Sequence, residues 1–386
     1  MSRAPRWSWA QVCARRLDRH RLSAPARDAG PADIAATICG AHAQVLSAAE
    51  LSIGLRLAGA TRADIRGALW TERTLVKTFG PRGTVHLLAT RDLPMWTGAL
   101  SAIPPTRTSL TQDLRLTAEQ TDAVVEAIAV ALRDAELTVD ELTEAVVADA
   151  GAWAGDLVIP AFQGMWPRWR AALPTAAHRG ALCFGANRGR KVTYTSPRRW
   201  LPDLRPADGP AALGEIVRRY LHTYGPASPQ HFAQWLNAPA RWATDLFDSL
   251  SEELEQVSVD GHPMWLAAED GPAPSPIVGS VHLLPYFDAY TVAGQPRELL
   301  FPGRAAERAL ARGQAGNFPV LLVDGTVAGV WHQRRSGRKL HLTVEPFRPL
   351  TAAGRRQLDE QVQRIAHFLD ATPELTIGTV TAGGHA

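Results

Sequence analysis

The sequence predicts an α+β protein: three units of a few short helices closed by a β-hairpin, then a strand-rich C-terminal domain. Three observations predict it. Amphipathic helical stretches give way to paired β-rich runs three times before residue 275. Turn-forming sequences join the runs of each pair, and beyond about 275 strands take over, with one helix near the end.

In the first unit "PADIAATIC" has a helical apolar rhythm (Ile34, Ile38, Cys39) and stops at Gly40, a residue suited to follow a helix. A helix is expected to open at Ser47, whose partner Glu50 completes an S-x-x-E capping box, and another at Thr61 with Asp64, covering "RADIRGALW". "TLVKTF" and "TVHLLA" read as strands joined by "GPRG". Helix, helix, helix, hairpin is the order of a winged helix-turn-helix domain.

The second unit follows the loop around Pro104 and Pro105. "TAEQTDAVVEAIAVALRDA" is an amphipathic helix, and "TVDELTEAVVADA" opens on a capping box at Thr138 and Glu141. Its hairpin is "GALCFGANRGRKVTYTS", with Arg188, Arg190 and Lys191 at the tip. The third unit holds "LGEIVRRYLHTYG", then Ser228 as cap with Pro229 at the first helical position, then "RWATDLFDSLSEELEQ". It closes on "EQVSVDGHPMWLA", turning at Asp260-Gly261. The last part has strands "VHLLPYFDAYTV", "PVLLVDGTVAGVWHQ" and "KLHLTVEPF" and the helix "GRRQLDEQVQRIAHFLD", which predict a small antiparallel β-barrel or sheet.

The bulk numbers place these units in an ordinary folded protein. The chain has 386 residues, 46% hydrophobic and 20% charged, enough for two to four compact units and unlike a disordered chain. No apolar run is long enough to span a bilayer, and no secretory leader pattern opens the sequence. Cys13, Cys39 and Cys183 are scattered without CxxC pairing, which fits a reducing cytoplasm and argues against a structural zinc.

The net charge of +3 is small, but the charges sit in blocks. No acid lies between Asp156 and Asp203, where Arg168, Arg170, Arg179, Arg188, Arg190, Lys191, Arg198 and Arg199 fall. A second acid-free window, Asp324 to Glu345, holds Arg334, Arg335, Arg338 and Lys339. Two such blocks, each beside a hairpin signal, point to a polyanion-binding face; a solvated basic surface is the plain alternative.

Between the stop at Gly40 and the cap expected at Ser47 lie His42 and Gln44. In an extended connection side chains two apart project together, with Ala43 turned away. Two neutral hydrogen-bonding groups aimed one way either tie down free backbone groups at helix ends or act on a ligand.

The stretches "GAHAQ", "IGLRLAG", "RGTVHLLATRDL", "RGALCFGANRGR", "SPRRWLP", "LLPYFDAYTVAG" and "LLVDGTVAGVWHQ" occur in this order along the chain. In them the sequence resembles, over nearly its whole length, the winged-helix DNA glycosylases of the AlkZ/YcaQ group. The resemblance implies three tandem winged helix-turn-helix domains (1–112, 113–205 and 206–274) and a C-terminal β-barrel domain (275–386) around double-stranded DNA. It implies cleavage of the N-glycosidic bond of alkylated purines, as in self-resistance enzymes that remove bulky guanine adducts or crosslinks. It places a catalytic Gln-x-Gln or Gln-x-Asp motif on the connection that here carries His42 in the first position and Gln44 in the second.

That chemistry asks little of the protein. An N7-alkylated guanine is positively charged and departs as a neutral base, through a transition state resembling an oxocarbenium ion. The enzyme has to hold one water beneath the sugar carbon and favour its deprotonation. Gln44 is expected to orient that water, and His42 to orient it and accept its proton. With no lysine beside the motif, a monofunctional enzyme needing no metal or cofactor is expected. Arg56, Arg82, Thr84 and His86 are candidates for the groove or lesion, unless Arg56 is a helix-surface cation and His86 packs under the hairpin. Arg179, Arg188, Arg190, Lys191, Arg198 and Arg199 are candidates for phosphates. Tyr286, Asp288 and Tyr290 could form a lesion pocket, although a buried Asp bonded to backbone amides fits Asp288 as well. A monomer in the cytoplasm, associated with the nucleoid, is expected. The rival functions are a transcription regulator, which lacks an obvious dimerisation segment here, and a non-catalytic protein that binds damaged DNA or the drug.

Overall fold

The computed structural model describes residues 4–105, 114–161 and 164–385. The expected boundary at 112/113 lies outside the described residues. The chain opens with β1 (Arg6–Trp7) and α1 (Trp9–Arg19), the latter opened by a capping box between Ser8 and Gln11.

The first unit comprises α2 (Pro31–Thr37), β2 (Ala41–His42), α3 (Leu46–Gly54), α4 (Arg62–Arg66), β3 (Leu75–Phe79) and β4 (Val85–Ala89). Its strands pair antiparallel in the order β2-β4-β3. Asp64 accepts from the Thr61 amide and hydroxyl, as the capping box requires. Ser47 does not cap a helix. α3 starts one residue earlier, behind Val45 and without a side-chain cap, and Glu50 is fully buried against Arg62 and Arg66 at 2.9 and 2.8 Å. Two charge-assisted contacts outcompete the single backbone amide that the box would have offered this carboxylate.

After α5 (Leu93–Ala102), the second unit holds α6 (Ala118–Leu132), β5 (Glu136–Thr138), α7 (Val139–Ala150), β6 (Leu157–Ala161), β7 (Gly164–Pro167), α8 (Leu173–His178), β8 (Cys183–Phe184) and β9 (Thr193–Thr195). Its main sheet is ordered β5-β9-β8; β6 and β7 form a separate pair that the sequence did not announce. The third unit is α9 (Gly209–Tyr224), α10 (Pro229–Leu236), α11 (Ala240–Ser249), β10 (Leu254–Val259) and β11 (His262–Ala267). Here Ala227 bridges Trp265 on the free side of β11, so that in all three units the last strand lies in the middle. β1 extends this third sheet, parallel to β10.

The C-terminal part contains β12 (Val281–Leu284), α12 (Ala289–Ala293), α13 (Arg297–Leu300), α14 (Arg304–Ala309), β13 (Val320–Val323), β14 (Thr326–Ser336), β15 (Lys339–Pro346), α15 (Ala352–Phe368) and β16 (Thr372–Ile377). "VHLLPYFDAYTV" is therefore a strand only to Leu284; Asp288 then caps α12. The expected β-barrel or sheet is an open sheet curled into a half-barrel, ordered β12-β13-β14-β15-β16 with β16 parallel to β15. Alternate side chains explain why. Leu283, Leu321, Leu342 and Val344 pack with Leu358, Val362 and Ile365 of α15, whereas Leu284, Val320, Leu322 and Val330 pack with Tyr290, Leu300 and Phe301. With both faces buried against other elements, the sheet has no empty face to close around.

One apolar core unites the first unit with this sheet and α15, and a second unites α5 with α9, α10 and α11. α1 ties the third unit to the C-terminal part: Arg15 meets Asp270 at 2.8 Å, and Leu17 joins the core under β13. The first unit, the third unit and the C-terminal part thus come to border one cavity.

Candidate active site

β2 is two residues long, with His42 opposite His86 of β4. The Ala43 amide continues the ladder by donating to the Val85 carbonyl at 2.7 Å. Ala41 and Ala43 turn into the core, which leaves His42 on the opposite side. Gly40 makes this turn possible: its φ is 96°, and a Cβ there would lie 2.6 Å from Leu88. Gln44, one alternation further, is exposed and forms no hydrogen bond among the described residues.

The His42 ring is held by packing. It stacks on Phe287 at 4.8 Å and meets the edge of His86 at 5.2 Å. Its Nδ1 is buried without a partner among the described residues. Burial, with the nearby Arg82 charge, pushes its pKa down to about 4, so the ring is neutral at physiological pH. His86 is likewise held well below the ordinary range, by burial first. Its Nδ1–H donates to the Thr84 carbonyl at 2.8 Å, an assignment that follows because a carbonyl only accepts.

His42 lines a cavity of about 780 Å³ together with Arg82 and Thr84 of the first hairpin, His231 and Gln234 of α10, and Phe287 and Arg297. Two of these, Arg82 and Phe287, have left-handed backbones (φ 61° and 54°), uncommon outside glycine and concentrated at functional sites. The Phe287 amide is held by the Gly316 carbonyl at 2.9 Å, and a Cβ on Gly316 would come within 2.7 Å of the Phe287 ring.

A buried ion pair sets Phe287 in place. Asp288 accepts from both terminal nitrogens of Arg56 at 2.9 and 2.8 Å, from Ser52 Oγ at 2.6 Å and from the Tyr290 amide at 3.0 Å. Arg56 and Asp288 are each 0% exposed, so neither reaches a groove or a lesion; they clamp α3 to the start of α12. Tyr290 is buried too, its hydroxyl donating to the Gly325 carbonyl, and His86 is buried beneath the hairpin. Tyr286 is half-buried against His385. Of the residues expected to face the groove or lesion, Arg82 and Thr84 join His42 at the cavity.

Sequence reasoning missed Phe287, Arg297, His231 and Gln234. His231 and Gln234 carried a signal, being three apart and so on one face of a helix whose buried residues are Phe232, Ala233, Trp235 and Leu236. Nothing local marked Arg297. The outer cations are mostly paired: Arg179 with Asp122 at 2.6 Å, Arg188 with Glu141 at 3.1 Å and Lys191 with Asp140 at 2.8 Å. Arg199 donates to Thr195 Oγ1. The side chains of Arg190 and Arg198 are exposed and have no partner among the described residues. Among those residues no three His, Cys, Asp or Glu side chains gather as metal ligands would, and no helix is long and apolar enough to cross a membrane.

A neutral imidazole fixed in a polar cavity, with cations beside it, can accept a hydrogen bond from water next to an anionic substrate. Residues 35–368 match the family model described as DNA glycosylase AlkZ-like. An interstrand DNA cross-link repair glycosylase of Streptomyces sahachiroi is 31% identical over 339 residues, covering 84% of this chain and 87% of that protein. The solved structure of Streptomyces sahachiroi DNA glycosylase AlkZ is similar with a TM-score of 0.80 and 27% identity, over 97% of this chain and 100% of that one. The chain belongs to the AlkZ-like family of DNA glycosylases, hydrolases that act on N-glycosyl bonds.

Proposed function

We propose that this glycosylase hydrolyses the N-glycosidic bond of N7-alkylated guanine in double-stranded DNA, leaves an abasic site, and accepts bulky natural-product adducts and crosslinks. The observation that carries the reading is His42: an uncharged imidazole, buried on two sides by Phe287 and His86, in the wall of a cavity of about 780 Å³. The cross-link repair named for the Streptomyces sahachiroi relative supports the bulky end of the substrate range.

In the reaction, water attacks C1′ as the bond from C1′ to the purine N9 breaks, and the electron pair neutralises the cationic base. The water proton passes toward His42, which stays neutral down to about pH 4 and so accepts hydrogen bonds throughout the physiological range. Gln44 orients the same water through its carbonyl. The leaving group is already activated, so neither a strong acid nor a covalent lysine intermediate is required. The enzyme acts as a monomer in the cytoplasm, on the nucleoid, without a cofactor.

The three units with a central last strand are taken as winged-helix domains, bounded at 1–112, 113–205 and 206–274, with 275–386 as the fourth domain. Exposed Arg190 and Arg198 are the outer phosphate contacts. The test is incubation with a duplex carrying one N7-methylguanine, and a second carrying a bulky N7 adduct, followed by assay for free base and abasic sites. Release from either, slowed in His42→Ala and Gln44→Ala with DNA affinity kept, is expected. No release from both duplexes would overturn the reading, and loss of folding in both variants would reduce the two residues to a structural role.

A further inference from the structure

Around the cavity the cations are arranged differently from those on the outer surface. Arg82 enters from the first hairpin and Arg297 from the start of α13, and both line the cavity. Arg82 Nη1 donates to the Trp235 carbonyl at 3.3 Å, and Arg297 to the carbonyls of Thr291 and Val292. Behind them Arg16 of α1 is 2% exposed; its Nη2 donates to the Pro226 carbonyl at 3.1 Å, while Nε and Nη1 have no partner. Among the described residues none of the three forms an ion pair with a carboxylate; Glu298, in the same wall, is exposed and paired with none of them.

Guanidinium groups partly withdrawn from water without counter-charge are costly, and Arg297 feels the positive charges of the other two. Burial lowers the pKa of Arg297 to about 10, with the Arg82 and Arg16 charges adding to it. Backbone carbonyls orient the forks but do not neutralise them. The rest of the polar lining is uncharged apart from Glu298: His42 and His231, held neutral by burial, and otherwise only hydroxyl and amide side chains. An anion able to accept from planar forks would balance them, and phosphate oxygens suit that geometry. A direct contact to the damaged guanine suits it less, because alkylation at N7 removes one of the two acceptors an arginine fork uses on that base.

We propose that Arg82 and Arg297 together bind one phosphodiester of the damaged strand, adjacent to the nucleotide whose base is released, with Arg16 supplying positive potential from behind. The inference rests on His42 as the residue that faces the reacting sugar. Phosphates bracket each deoxyribose, so gripping one of them sets C1′ against the water held at His42, a contribution of position rather than of chemistry.

The test uses the full chain and duplexes with a single N7-methylguanine, in which the linkage 5′ or 3′ to the lesion is replaced by an uncharged methylphosphonate. Single-turnover base release by the wild type should slow about 10- to 100-fold for one of the two flanking linkages, the loss expected for charge-assisted hydrogen bonds. A methylphosphonate placed away from the lesion should have no such effect. Arg82→Gln and Arg297→Gln should slow release from the natural duplex to a similar degree and lose sensitivity to the methylphosphonate, while Arg297→Lys, which keeps the charge but not the fork, recovers part of the rate. Each Gln variant should also reduce the slope of log affinity against log salt by about 1. Wild-type rates indifferent to both flanking linkages, or variants as sensitive as wild type, would overturn the proposal while leaving base release itself intact. If no duplex releases base, the functional reading fails instead, and the salt slopes alone decide whether these arginines hold a phosphate. Thermal unfolding checks each variant; should Arg297→Gln not fold, Arg82→Gln decides, because among the described residues the Arg82 side chain bonds only to the Trp235 carbonyl.

Discussion

The first and second hairpins occupy the same place in the strand order of their units, yet their tip cations face different things. Arg82, on the first, donates to a backbone carbonyl and lines the cavity with His42. Arg188 and Lys191, on the second, meet Glu141 and Asp140 at the start of α7. An acid-free window in sequence is therefore not an acid-free surface: the acids that neutralise the second tip lie just before that window and fold back onto it. What separates a surface ion pair from a site is whether a cation remains uncompensated beside a group that can do chemistry.

Four measurements break or sharpen that contrast. The largest effect belongs to the cavity: His42→Ala should lower single-turnover base release by roughly 10²- to 10⁴-fold, the range of a lost general base. Arg190→Ala on the second hairpin should weaken DNA binding but, at saturating enzyme, lower that rate far less. Equal losses at both places would erase the distinction.

Next comes the clamp behind the site. Asp288→Ala strands the fully buried Arg56 and should cost about 3–5 kcal/mol of unfolding free energy, measured by denaturant titration. By contrast Arg188→Ala should leave the melting temperature where it is, since both members of its pair are exposed. A small effect at Asp288 would mean that Phe287, and His42 stacked on it, are placed by something else.

Acid should then distinguish the regions. His42, His178, His231 and His282 are each held down to about 4 by burial, against about 6.5 in the unfolded chain. As pH falls the unfolded chain takes up these protons first. Stability is thus complete above about 6.5 and is lost progressively between there and about 4, which melting temperatures across that range would register. Base release should stay level from pH 8 to about 5 and fall only as His42 protonates, and His42→Gln should abolish that limb. A rate that declines with a midpoint near 6.5 would show His42 to be solvated.

The smallest effect lies within the second hairpin itself. Arg190→Gln should reduce the salt slope of DNA binding by about 1, and Arg188→Gln by less, because Arg188 already spends its charge on Glu141. Identical slopes would mean that the ion pair opens freely when DNA arrives.

Much of the architecture was legible because it is local. Capping boxes at Thr61 and Thr138, the Ser228 cap with Pro229, and the Asp260-Gly261 turn each depend on a few neighbouring residues, and each forms. Ser47 shows the limit: its box was equally well spelled, but Arg62 and Arg66 arrive from another helix and take Glu50 away. The half-barrel stays open for a related reason. The strands were visible, but whether their second face would be empty depended on α15 and on the turn and helices after Leu284. At the site, His42 could be placed on an extended break because Gly40 stops one helix and another begins soon after. Arg56, His86, Asp288 and Tyr290 were polar residues in suggestive stretches, and burial gave them other partners.

By itself the sequence determined what short-range physics decides: where helices and hairpins begin and end, that His42 and Ala43 point opposite ways, and that one family's motifs run along the whole chain. Only the tertiary structure decided which groups are shielded from water and which charges stay uncompensated. Phe287, Arg82 and Arg297 come to border one cavity with His42 from distant parts of the chain, and the desolvation that keeps His42 neutral exists only once those parts have packed together.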